Sequence, residues 1–391
     1  MSGIADLRLF RDGKLVKYVD NDLPLDKNGS FTQTFTIRLP ASEEGRNQSS
    51  FTAYAFNRDR VKSATSEAVS VNRPEGKPGR YAYVIAIGAG AYTDPRDDLE
   101  FPPADSESYV KALTAQLAAT RNFDAVVPVL LTNNGAWQWE TGSWSGVTAN
   151  LARRELIKGV LDMLAGRQVA DVVRKTIPNA DKVKAATADD LVIITFSGHG
   201  LFSKTGDFLL ATADPYADPA GMEHAFLASS ALADWLRDVD AGNMALVIDA
   251  CHSAAAVDDK EFKPGPMGSR GLGQLAYDKG ISILAASQSA ELALEYDVLR
   301  HGLLTYTLVE QGLVSRQADF SPQDGAIGLK EWLAYAVQAV PVLQREIEKG
   351  SFRGAAKEVK VRYRGGWDRS TLQQPSLFDF RRVRGDLVIA K

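Results

Sequence analysis

From residue 81 onward, short apolar runs of strand length alternate with stretches of helical period, and this alternation leaves the chain few architectures. Residues 81–87, 125–131, 191–196, 244–248 and 281–286 read as strands buried on both faces, because their apolar character is continuous rather than alternating. Helices are expected at about 104–118, 147–164, 229–239, 303–313 and 329–348; in the second, Leu151, Leu156, Val160, Leu161 and Leu164 supply the apolar positions. Strands joined through helices pair in parallel and are covered on both faces, which makes the fold class α/β with a mainly parallel central sheet. In such sheets reactive groups gather outside the carboxyl ends of the strands.

The first 75 residues have a different rhythm. Short alternating segments at 5–10, 14–18, 31–39, 51–56 and 67–71, with an Asp12-Gly13 hairpin signal, predict a small all-β, immunoglobulin-like sandwich for docking or regulation. Asn72-Arg73-Pro74-Glu75-Gly76-Lys77-Pro78-Gly79 is rich in turn formers and reads as a linker. The expected organisation is therefore a β-sandwich over 1–75, an α/β domain over 81–350 and a C-terminal extension over 351–391. In that extension 357–363 and 387–390 read as strands that pack back on the body.

Bulk properties narrow the function classes. A formal net charge of −4, from 49 acidic and 45 basic residues, gives no reason to expect a nucleic-acid partner. One cysteine in 391 residues excludes an internal disulfide framework. The first 25 residues are charged throughout without an apolar signal region, and no stretch approaches the ~18 apolar residues of a membrane span, so a cytoplasmic protein with no membrane partner is expected.

Two strand ends carry the chemistry. The run at 191–196 stops in Ser197-Gly198-His199-Gly200, and the run at 244–248 stops in Asp249-Ala250-Cys251-His252-Ser253. Each delivers half of a thiol/imidazole pair to the carboxyl edge of the sheet. A thiol with pKa near ~8.5 is only a few per cent ionised at about pH 7, yet its thiolate is so nucleophilic that a neighbouring imidazole base suffices. His199 would take the thiol proton and return it to a leaving amine. The Gly200 and Cys251 amides are candidate donors to the oxyanion.

In this order and spacing the two motifs resemble the caspase-like cysteine peptidases, specifically their metacaspase-type and bacterial branch, and the similarity runs from about Tyr81 to about Glu348. The resemblance implies a caspase-hemoglobinase sandwich, a His199/Cys251 dyad and peptide hydrolysis through a thioester. Animal caspases place their cysteine in a Gln-Ala-Cys context; here Asp249 takes the glutamine's place, so cleavage after aspartate is not expected. Strand alternation puts the Asp249 carboxylate on the face that displays the Cys251 sulfur. At ~8 Å it would oppose thiolate formation by about 2 kcal/mol at an effective dielectric of roughly 20, and a cationic substrate side chain would offset that. By similarity to the metacaspase-type acidic S1 pocket, Asp105 and Ser197 would join Asp249 in binding substrate Arg or Lys. The match departs at Pro102, where family members often carry cysteine, and Asp105 reads equally as an acid at a helix amino terminus.

Residues 254–280 match in position the segment that caspase relatives cut or rearrange, and with their glycines and prolines they read as a mobile loop with Lys263, Arg270 and Lys279 as processing candidates. Trp137, Trp139 and Trp144 form either a recognition patch or local core. His252 points away from the nucleophile by alternation, and His224 and His301 have no partner pattern. Asp207, Asp214, Glu223, Asp258 and Asp259 lack EF-hand spacing, so no cofactor is expected; calcium, which some metacaspases require, stays open on the resemblance without a motif to support it. The reading that results is a cysteine endopeptidase acting on polypeptides with Arg or Lys at P1, with an activating protein partner open. Its alternatives are a partner-gated effector or a non-catalytic caspase-fold scaffold in bacterial defence or cell-death signalling.

Overall fold

The structure, a computed structural model, describes residues 3–19, 23–42, 45–59, 61–76, 79–133, 138–140, 143–145, 150–203, 208–216, 224–250, 272–286, 295–296, 298–352, 372–382 and 385–391. A four-stranded antiparallel sheet is built from β1 (Asp6–Arg11), β2 (Lys14–Val19), β3 (Gln48–Phe56) and β4 (Val69–Asn72), in the order β2-β1-β3-β4. The central sheet contains β5 (Tyr81–Ala89), β6 (Ala125–Asn133), β7 (Leu191–Ser197), β8 (Asn243–Asp249), β9 (Ser282–Ala285) and β10 (Ser376–Asp379). Its order is β10-β9-β8-β7-β5-β6, parallel throughout except for the antiparallel edge β10. The protein is thus mixed α/β with a mainly parallel central sheet and a separate antiparallel sheet.

The continuous apolar runs are explained by burial on two sides. Odd and even positions of each strand go to different cores. On one face Tyr83, Ile85, Ile87, Val192, Ile194, Phe196, Leu246 and Ile248 pack with α2 (Arg154–Leu164), α3 (Ser229–Leu236) and α4 (Leu272–Lys279). On the other, Ala82, Val84, Ala86, Ile193, Ala245 and Val247 meet Tyr109, Leu113 and Leu117 of α1 (Pro102–Thr120) and Trp332, Leu333, Ala336 and Val340 of α5 (Leu329–Glu348). At roughly 1.5–3 kcal/mol for each large side chain fully buried, these two layers hold the strand ends in place.

The amino-terminal region differs from the expected sandwich. Its described residues make one sheet, and 31–39 runs without a strand partner although its apolar residues alternate. Alternation marks a face; it does not supply a neighbouring strand to pair with. The sheet is also fused to the body rather than tethered to it. Phe10, Leu15, Tyr54 and Phe56 belong to the α/β core, and the Arg8 guanidinium sits between Asp6 and Asp278 of α4, 2.9 and 2.8 Å away.

The helix at Leu272–Lys279 and the edge strand β10 were not read from the sequence, whereas the strand expected at 387–390 is present as Val388–Ala390. Leu272–Lys279, expected as loop, is the helix α4; Leu272, Leu275 and Ala276 have helical spacing that the preceding glycines and prolines obscured. The tail adds the edge strand β10, with Ser282 Oγ donating to Asp379 at 2.7 Å, while 357–363 lies outside the described residues. Val388–Ala390 pairs with Ile327–Gly328, and the Asp386 carboxylate accepts the Lys330 and Glu331 amides at the start of α5. Gln138–Glu140 and Ser143–Ser145 form a short antiparallel ladder that sets Trp139 opposite Trp144; Trp137 lies outside the described residues. Among the described residues no helix is long and apolar enough to cross a membrane.

Candidate active site

Ser197 and Asp249 are the last residues of the adjacent strands β7 and β8 and are paired in register, with Gly88 of β5 opposite Ser197 on the other side. Backbone register alone therefore brings two of the predicted pocket residues to one carboxyl edge. Asp105 comes from the first turn of α1, which packs across the same edge, and Ser197 Oγ donates to Asp105 Oδ2 at 2.9 Å. The three predicted pocket residues meet, and all are buried, with 0, 4 and 5% exposure for Asp105, Ser197 and Asp249.

A segment that the sequence reading passed over completes the cluster. His301 and Gly302 end in a helix start at Leu303, and the His301 ring lies with Nδ1 2.8 Å from Asp105 Oδ1. The Gly302 amide points at both Asp105 oxygens, 3.2 and 3.3 Å away, and Thr305 Oγ1 donates to Asp249 Oδ2 at 3.0 Å. Only glycine fits at 302, since a Cβ there would lie 2.8 Å from Asp249 Oδ2 and 3.1 Å from Asp105 Oδ2. His301 takes the helix-start setting, one of the two that its lack of a sequence pattern left open, the other being a solvated position, and it has a carboxylate partner there. The one sequence signal was a His-Gly pair immediately before an apolar helix, with a threonine one turn on.

The electrostatics divide the two carboxylates. Burial alone would lower the His301 imidazole, but the hydrogen bond and charge of Asp105 outweigh it and raise the ring above its ordinary value. Asp105 thus faces three donors, the Ser197 hydroxyl, the His301 ring and the Gly302 amide. Asp249 is pushed up, first by burial and then by the charge of Asp105, with Thr305 only partly opposing. The Tyr109 phenol, raised by burial and then by Asp249, closes the apolar side. A cation reaching Asp249 would meet a carboxylate that makes no ion-pair contact among the described residues, the His301 charge acting on it only as a minor influence.

His199 stands just beyond β7. Its Nε2 lies 2.7 Å from the Asp97 carbonyl, which can only accept, so Nε2 carries the proton and Nδ1 of the neutral ring is the basic nitrogen. The His199 amide donates to Tyr92 Oη at 3.1 Å while that hydroxyl donates to the Ala89 carbonyl at 2.6 Å, and the two rings lie 5.0 Å apart. Gly198 permits this approach, because a Cβ there would come within 3.0 Å of Tyr92 Oη and 3.1 Å of the Ala89 oxygen. Burial lowers the His199 pKa, and the nearby Asp98 only partly restores it, so the ring is neutral near pH 7 and able to accept a proton.

Gly200 opens a three-stranded antiparallel ladder with Phe208–Ala211 and Phe226–Ala228. Gly200 is opposite Leu210 and the Ala211 amide donates to the His199 carbonyl. In that register the Gly200 amide takes no part in the ladder and can donate to a bound oxygen.

Cys251, His252, Lys263 and Arg270 lie outside the described residues, as do Asp207, Glu223, Asp258 and Asp259. Asp214 accepts the Arg154 amide and the Thr212 hydroxyl at the start of α2, and among the described residues no group of three metal-ligating side chains occurs. Lys279 requires a correction as a processing site. It ends α4 rather than lying in a loop, is 7% exposed, and its ammonium donates to the Leu15 and Arg237 carbonyls at 3.1 and 2.8 Å. A protease needs an exposed, extendable backbone, which a buried helix end does not offer. No protein-family model and no curated protein matches the chain.

Proposed function

We propose that the protein is a caspase-like cysteine endopeptidase cleaving polypeptides after Arg or Lys, with His199 as base, Cys251 as nucleophile and Asp249 as the anchor for the substrate cation. The observation that carries the reading is the meeting of Ser197, Asp105 and Asp249 at the carboxyl edge where the His199 strand ends, since two buried carboxylates gathered at a strand edge can hold a cation. In the reaction His199 Nδ1 takes the Cys251 thiol proton, the thiolate adds to the scissile carbonyl, and the oxyanion is held by the Gly200 and Cys251 amides. His199 then protonates the leaving amine as the C–N bond breaks to leave a thioester, and water, deprotonated by the same ring, releases the new carboxylate. The test is a fluorogenic peptide set varied at P1. Turnover should be confined to Arg and Lys, and preference for Asp or an apolar P1 residue would refute the assignment.

One observation favours a gated form of this enzyme. Asp105 and Asp249 are 0 and 5% exposed, so the substrate cation can reach them only after the site opens. Processing at Lys263 or Arg270 is one such opening, since that segment continues from the Cys251 strand. Incubated active protein is expected to give fragments ending at Lys263 or Arg270, with Lys279 uncut and Cys251→Ala whole. Mass spectrometry showing full activity in an uncut chain would leave a partner as the switch.

A further inference from the structure

At the amino ends of β7 and β8, roughly 20 Å along the strands from the candidate active site, lies a cleft of about 410 Å³. Its walls come from the β1–β2 hairpin, the amino-terminal segments at Pro40, Arg46 and Arg73, the residues flanking β5 and α1 at Arg80 and Phe123, the strand starts around Asp190 and Asn243, and the tail around Arg382 and Leu387. Six cationic side chains line it, Arg11, Lys14, Arg46, Arg73, Arg80 and Arg382. Each of the four lining carboxylates has a partner, and for Asp12 that partner is a lining cation. Asp12 holds the Ser50 amide and Arg73, Asp189 faces the Ala41 amide, Asp190 accepts the Tyr81 and Thr187 amides, and Asp386 caps α5 and pairs with Arg381.

The cations are not matched in the same way. Arg11 and Arg73 have carboxylate partners. Among the described residues Lys14 donates to the Gly242 carbonyl, at 2.5 Å, and Arg382 to the carbonyls of Gly13 and Tyr277. Arg46 is exposed and has no ion-pair partner among the described residues. Burial, and after it the charge of Arg11, bring the Lys14 ammonium down to about 8, with Asp240 opposing. Phe123, Pro40 and Leu387 add an apolar wall to this cationic floor.

We infer that this cleft binds a phosphate-bearing small molecule of about nucleotide size, with Lys14, Arg46 and Arg382 on its phosphates and the Phe123 side against its organic part. The size falls within the usual range for small-molecule sites, and guanidinium forks match phosphate oxygens. A ligand here would staple the amino-terminal sheet and the tail to the strands that carry Ser197 and Asp249, independently of whether the chain is a peptidase.

Calorimetry and thermal melting with inorganic pyrophosphate, a nucleoside diphosphate and citrate test this directly. Pyrophosphate and the nucleoside diphosphate should raise the melting temperature saturably, with affinity falling as salt is added. Arg46→Glu, at an exposed side chain without partners, should weaken binding about tenfold or more while leaving the ligand-free melting temperature unchanged, and Arg46→Glu/Arg382→Glu further still. Absence of a saturable shift with either phosphate compound, an unchanged affinity in Arg46→Glu, or equal stabilisation by citrate would overturn the assignment.

Discussion

Replacing His199 by alanine is expected to lower turnover of an Arg-P1 peptide by at least about 10³-fold, and Cys251→Ala to do the same, because base and nucleophile act as a unit and losing either forfeits the shared step. Neither change should unfold the protein. His199 lies beyond the strand end and among the described residues its ring makes one hydrogen bond, to the Asp97 carbonyl, so its loss should cost less than the roughly 2–5 kcal/mol of a core truncation. Since burial depresses the His199 pKa, the acid limb of the activity profile belongs below the ordinary value of 6.5. Turnover within tenfold of wild type in either variant, at an unchanged melting temperature, would show that the dyad is not the catalytic pair.

Asp249→Asn should produce the second large effect, in two opposite directions. Asparagine keeps an acceptor for Thr305 but has no charge, so kcat/KM on Arg substrates should fall by about 10²-fold or more, from loss of a buried ion pair. The same substitution should stabilise the free protein. The Asp249 pKa is raised by burial and by Asp105, to about 7, so the stability its protonated form contributes is complete below the unfolded value near 3.8 and lost as pH rises through about 7. The asparagine variant escapes that loss. Its advantage should grow as pH rises between about pH 4 and about pH 7 and stay level above. Urea unfolding at pH 5 and pH 8 checks the sign; a variant that is less stable at pH 8 and equally active on Arg substrates would remove Asp249 from the pocket.

The parts of this account that were legible in the sequence are those set by periodicity. The helix at 329–348 was read to the residue because Trp332, Leu333, Ala336, Val340, Leu343 and Ile347 keep one apolar stripe from end to end. The strand ends carrying Ser197 and Asp249 were legible for a related reason: an apolar run buried on both faces stops where polar residues start. Contacts between distant segments were not legible. His301 reaches Asp105 across 196 positions, and no local pattern encodes that distance. Lys279 looked like an exposed basic residue in a glycine-rich stretch, and its burial depends on two carbonyls contributed by other parts of the chain. The expected sandwich failed on the same ground, since a second sheet requires strand partners that alternation cannot name.

The claim on which the rest depends is that a Cys251 thiolate, activated by His199, reacts with substrates chosen by an acidic pocket. A peptidyl electrophile with Arg at P1, followed by mass spectrometry of the labelled chain, examines both halves at once. The expected result is a single adduct on Cys251, formed much more slowly in His199→Ala and in Asp249→Asn and not formed by the corresponding Asp-P1 electrophile. Labelling of Cys251 at equal rates by the Arg and Asp reagents, or no labelling of Cys251 after the site has been opened by cleavage at Lys263 or Arg270, would contradict it.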